Sequence, residues 1–112
     1  MFYHATRPSR LEGILYEGLR CGNPGDGNFP DAHRDIKDYH HAVYGFGLIE
    51  ECIHWAKAKR FAYGDKPVVV EFSSKWFPFR DHIMYDVEGY KSPVYFLEHI
   101  PPEEITNIYL VK

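Results

Sequence analysis

His4 is the residue of this chain whose type and position are best suited to chemistry. Its imidazole can donate and accept hydrogen bonds and titrates near neutral pH. It stands late in an alternating run, FYHAT, with Ala5 and Thr6 beside it. A strand handing over to a helix is a common ligand site in α/β and α+β proteins. The alternative is a core histidine whose ring nitrogens are both satisfied by backbone. His33, His40 and His41 share a stretch with Cys21, Asp31, Asp35 and Asp38, which invites a metal reading. Zinc sites are built on tight pairs such as C-x-x-C or H-x-x-x-H, and none occurs here, so solvated loop histidines are the simpler account. Cys52 falls on the apolar stripe of a helix, where an inert thiol rather than a nucleophile is expected. Glu98, Glu103 and Glu104 could be drawn as a carboxylate pair for hydrolysis, but Glu103 and Glu104 read more simply as exposed charges after a turn.

These residues need a scaffold, and 112 residues suffice for one domain with a real core. No segment approaches the roughly 20 apolar residues of a membrane span. The first residues lack the basic-then-apolar pattern of a signal peptide. Cys21 and Cys52 are far apart and unpaired in sequence, so free thiols in a reducing cytoplasm are expected. A net charge of -3 argues against a general electrostatic grip on nucleic acid, though not against a local basic patch. Aromatic residues make up 17% of the chain, enough to fill a small core with rings.

The pattern predicts a strand over residues 2–6, with Phe2, His4 and Thr6 on one face. A helix follows, capped by Thr6 or Arg7, with Pro8 in its first turn and Ser9 and Glu12 at capping-box spacing. Leu11, Ile14 and Leu15 form its buried stripe, Gly18 stops it, and Leu19 folds back. Residues 21–41 form a long loop of the kind that is usually functional or mobile, with a short helix over 31–39. A brief strand over 42–46 leads to a second helix over 48–61, on which Leu48, Cys52, Trp55 and Ala56 share a stripe. Its acids lie in the first turn and its bases in the last, as the helix dipole favours. The run PVVVEF at 67–72 reads as a central strand covered on both faces. A short strand within 76–86, another over 93–97, a Pro101-Pro102 turn and a last strand over 105–111 complete an α+β domain.

Tyr3-His4-Ala5-Thr6 and Ile14-Leu15-Tyr16-Glu17-Gly18-Leu19 resemble the opening of the ADP-ribosyltransferase-like superfamily. That group includes tRNA 2′-phosphotransferases, poly-ADP-ribose polymerases and phage or toxin ADP-ribosyltransferases. Val43-Tyr44-Gly45-Phe46-Gly47 and the helix carrying Trp55 resemble its second landmark, and PVYFLEHIPPEEI resembles its closing strands. The resemblance spans nearly the whole chain in order. It implies a small fold of two packed, mainly antiparallel sheets with two principal helices. Between the sheets it implies a cleft for NAD, used as a substrate.

In that reading His4 bonds a ribose hydroxyl, Ala5 lets backbone approach the nicotinamide amide, and Tyr44 stacks on the nicotinamide ring. Thr6 and Trp55 complete the cleft, and Arg7, Arg10 and Arg20 meet the pyrophosphate as charge-assisted donors. The superfamily often places a glutamate at the start of the closing strand. Here that segment reads Lys91-Ser92-Pro93-Val94, so Glu98 or Glu88 would have to serve. The implied activity is NAD-dependent ADP-ribosyl transfer to a protein or nucleic-acid target by a cytoplasmic toxin or phage effector. Two alternatives are a non-catalytic binding or inhibitor module on the same fold and an RNA 2′-phosphotransferase.

Overall fold

A computed structural model of the chain describes residues 1–20, 42–58 and 66–111. Its β-branched and aromatic runs form six strands: β1 (Phe2–Thr6), β2 (Val43–Phe46), β3 (Val68–Phe72), β4 (Phe79–Arg80), β5 (Pro93–Phe96) and β6 (Ile105–Leu110). The described helices are α1 (Leu11–Glu17), α2 (Ile49–Ala58) and α3 (His82–Asp86), with 3-10 turns at Pro8–Arg10 and Pro102–Glu104. The α+β class is as the sequence predicts. The two packed sheets are not: the strands form one antiparallel sheet in the order β4-β5-β2-β1-β3-β6.

The sheet is joined unevenly, and this matters for the site. All five residues of β1 pair with β3, and all four of β2 with β5. Between β1 and β2 the register holds one pair, Tyr3↔Phe46. The halves β4-β5-β2 and β6-β3-β1 therefore meet at a narrow join and diverge beyond it.

Both faces of the sheet are covered, because successive side chains of a strand point to opposite sides. Val70 and Phe72 pack with Val43, Phe96, Ile100 and the α1 residue Ile14. Val69 packs on the other side with Ala5, Phe46 and Met84, beneath Cys52, Trp55 and Ala56 of α2. The strand β3 is thus covered on both faces, as its unbroken valines predict.

At the start of α1 the predicted cap gives way to another device. Thr6 is the last residue of β1, wholly buried and paired with Val68. Arg7 stands before the 3-10 turn, and no side chain caps either that turn or α1. Gly18 does stop α1, at φ +84°, and a Cβ there would lie 2.0 Å from the Ile100 carbonyl oxygen. Leu19 then turns back to exchange backbone hydrogen bonds with Ile100, at 2.8 and 2.9 Å. Leu15 and Leu48, expected in buried stripes, are exposed. The seven residues of α1 reach the sheet through Ile14 and Leu11, and Leu48 precedes α2 with its N–H tied to the Ser92 hydroxyl at 3.0 Å.

The five-residue helix α3 is an addition to the two principal helices expected. Asp81 caps it, accepting from the Met84 N–H at 3.1 Å. The expected helix over 31–39, the loop residues Cys21, His33, His40 and His41, and the end of the second helix lie outside the described residues.

Candidate functional site

The divergence of β1 from β2 begins at the residues that sequence picks out. His4 follows Tyr3 on β1, and Tyr44 and Gly45 precede Phe46 on β2. A Cβ on Gly45 would sit 2.9 Å from the Tyr3 carbonyl oxygen, so only glycine lets the strands come this close. Across the opening, His4 Nδ1 donates to the main-chain carbonyl of Tyr44 at 2.6 Å. A carbonyl can only accept, so Nδ1 carries a proton and donates it.

A cleft lies along this opening. His4 and Ala5 line it from β1, Tyr44, Gly45 and Phe46 from β2, and Trp55 from α2; Asp81, Met84 and Pro93 complete the lining. It holds about 340 Å³, including the part open to solvent. Its walls are mainly rings and apolar groups.

Asp81 is buried, and it is the one carboxylate among the described lining residues. Its carboxylate caps α3 and its N–H donates to the Pro93 carbonyl at 3.0 Å, which fixes α3 against β5. Sequence reasoning passed over Asp81, although Asp81-His82-Ile83-Met84 has the form of a helix N-cap. Phe46, Met84 and Pro93 were also missed, and they declare themselves only through packing.

The start of β5, where sequence finds no acid, does hold a carboxylate in space. Glu51 of α2 accepts from the N–H groups of Lys91 and Ser92, at 2.6 and 2.7 Å, and from the Ser92 hydroxyl at 2.6 Å. Burial pushes its carboxyl up, but these donors outweigh burial and hold it below the usual carboxylate range. Glu51 is therefore committed to fixing the 91–92 backbone onto α2. At another place on the sheet, Glu71 accepts from Thr106 and Tyr109 hydroxyls, each at 2.8 Å, and these bonds lower its pKa.

The predicted site residues thus fall into two groups. His4, Ala5, Tyr44 and Trp55 are brought together, although 51 positions separate the first from the last (55 − 4). Thr6 lies one step further along β1, sealed in the core. Arg7 is half-buried before the 3-10 turn, and Arg10 is exposed at the end of that turn. Arg20 is exposed and pairs with Glu17 at 3.0 Å. Glu98 is exposed two residues beyond β5, and Glu88 is exposed after α3; neither lines the cleft.

Cys52 is fully buried and its burial pushes the thiol pKa up, as expected for an inert core cysteine. Among the described residues no group of three His, Cys, Asp or Glu side chains could hold a metal ion. No described helix is long and apolar enough to cross a membrane. Comparison with protein-family models, curated proteins and solved structures finds no match to this chain.

Proposed function

We propose that the cleft at His4 binds the nucleoside end of NAD, and that the chain is an NAD-dependent ADP-ribosyltransferase-like protein acting on a protein or nucleic-acid target. The observation that carries this reading is the convergence of His4, Ala5, Tyr44 and Trp55 on one cleft. The bond from Nδ1 to the Tyr44 carbonyl holds the His4 ring at the cleft wall, where its edge meets a ribose hydroxyl. Ala5 and Gly45 leave backbone accessible, and Tyr44, Phe46 and Trp55 supply ring faces. The 340 Å³ includes space open to solvent, so the enclosed part of the cleft is smaller, and only one end of the dinucleotide enters it while the rest lies outside.

In ADP-ribosyl transfer the bond from ribose to nicotinamide breaks, its electron pair leaves on nicotinamide, and the acceptor's nucleophile bonds to the ribose carbon. A nearby carboxylate stabilises the positive charge that builds on that carbon. Asp81 takes this part in place of Glu98, because it lines the cleft and Glu98 does not. The engagement of Asp81 as a helix cap favours a second reading, a binding module without catalysis. Incubation with labelled NAD and a cell extract separates the two. Transfer of label that is lost in His4→Ala and Asp81→Asn supports the enzyme, since asparagine still caps a helix. Binding of NAD without transfer supports the module, and absence of both defeats each reading.

A further inference from the structure

One helix holds two walls of the cleft. Trp55 lines it from α2, and Glu51 stands four residues earlier, on the same side of that helix. Glu51 does not line the cleft; its carboxylate reaches the segment before β5 instead. Oε2 accepts from the Lys91 N–H at 2.6 Å, and Oε1 accepts from the Ser92 N–H at 2.7 Å and from the Ser92 hydroxyl at 2.6 Å.

Ser92 passes this hold to the lining strands. A hydroxyl has one proton, and here it goes to Glu51, so the Ser92 oxygen is left to accept the Leu48 N–H, at 3.0 Å. The Ser92 carbonyl accepts the Gly47 N–H at 2.9 Å. These two bonds fix the chain directly after Phe46, a lining residue. On the other side of Ser92, Pro93 lines the cleft and is the register partner of Phe46. Its carbonyl takes the N–H of Asp81, a third lining residue, at 3.0 Å. Lys91 follows Tyr90, whose ring packs on Phe46 at 5.1 Å between centroids. Phe46, Pro93 and Asp81 are thus joined to a node that a single carboxylate holds to α2. The Trp55 ring of the same helix lies 6.4 Å from that of Phe46.

The geometry points to Glu51 as a positioning residue of the cleft, one that sets the gap between Trp55 and the wall formed by Phe46, Pro93 and Asp81. It acts through Ser92. Attachment of α2 to the sheet does not need it, because Cys52 and Ala56 already pack there. What the carboxylate adds is direction: both its oxygens only accept, so three donors of one short segment converge on it. Glutamine has one acceptor oxygen and an amide that donates, so in Glu51→Gln a side-chain N–H meets a backbone N–H and the segment must move. The consequence for NAD rests on the reading of the cleft as a nucleotide site; the clamp on the cleft does not.

Trp55 reports the gap once the exposed Trp76, the other tryptophan, is replaced by phenylalanine. In that Trp76→Phe background, Glu51→Gln and Ser92→Ala should each shift Trp55 emission under native conditions. The double variant should shift it no further than Glu51→Gln, because both changes break one chain of bonds. NAD and ADP-ribose, titrated by calorimetry, should bind each variant about tenfold more weakly, the lower end of what the supports behind a site are worth. Circular dichroism checks that the variants are folded, and Ser92→Ala, the smaller change, carries the test where Glu51→Gln is not. Unchanged Trp55 emission, or an affinity for NAD equal to the native chain's, overturns the proposal and leaves Glu51 a structural tie. If the native chain binds neither NAD nor ADP-ribose, the nucleotide reading fails, and Trp55 emission still decides the clamp.

Discussion

The ring of His4 is tied through Nδ1 to the backbone carbonyl of Tyr44, 40 residues away, across the one place where the sheet is joined by a single residue pair. The bond keeps a proton on Nδ1 and bridges the two half-sheets where their ladder stops. It resolves the alternatives for this histidine in part: one nitrogen is satisfied by backbone, yet the ring lines a cleft.

The close approach that makes this bridge depends on Gly45. Gly45→Ala places a methyl group 2.9 Å from the Tyr3 carbonyl oxygen, a backbone atom with no rotamer to yield. The strands must shift, at a cost of about 1–3 kcal/mol. Denaturant unfolding should show the lower midpoint, and the His4 ring resonances should move. An unchanged midpoint would mean that β1 and β2 tolerate a wider spacing.

Gly18→Ala should be more damaging. The new Cβ meets the Ile100 oxygen at 2.0 Å and the backbone is left-handed at φ +84°, so the Leu19–Ile100 bridge must open as well. A loss of more than about 2 kcal/mol is expected from strain and clash together. Urea titration at constant m-value measures it.

Much of this scaffold is legible in sequence, and physical reasons separate what is from what is not. Gly18-Leu19 signals a helix stop and return, and the valines of 68–70 signal a strand covered on both sides, because local conformation and hydrophobicity decide both. The single sheet is not legible, since it rests on the one pair Tyr3↔Phe46 rather than on any local pattern. Nor is α3, whose five residues are too few for periodicity and which depends on the Asp81 cap. Within the site, His4, Ala5, Tyr44 and Trp55 stand out by type and motif. Asp81 enters through the third dimension, as does Glu51 at the start of β5.

Glu51 gives the fold an acid-sensitive joint. Its folded-state pKa lies below the unfolded value, so its stabilising effect is full above the unfolded pKa and disappears as pH falls through the folded one. Glu51→Gln should cost about 1–3 kcal/mol at pH 7. The difference from the native chain should shrink as pH drops below about 4.3, the ordinary glutamate range. Stability curves of both proteins from neutral to acid pH check this; a difference that does not vary with pH would remove the carboxylate's charge from the account.

Cys52 should be silent while the chain is folded. It is fully buried and its thiol is held protonated by burial, so a Cys21→Ser variant should react with a thiol reagent only at the rate of unfolding. Fast labelling under native conditions would mean that α2 opens readily from the sheet.

The claim at the centre of this account is that His4 forms one wall of a nucleotide cleft. Thermal denaturation in the presence of NAD or ADP-ribose at about millimolar concentration, with nicotinamide alone as a third arm, tests it most directly. At ten times the dissociation constant a ligand stabilises the native state by about 1.4 kcal/mol, a shift of several degrees for a domain of this size. Such a shift is expected for NAD and ADP-ribose in the native chain and is expected to be lost in His4→Ala, whose fold should be weakened by only about 1 kcal/mol. No shift with any of the three, or an equal shift in His4→Ala, contradicts it.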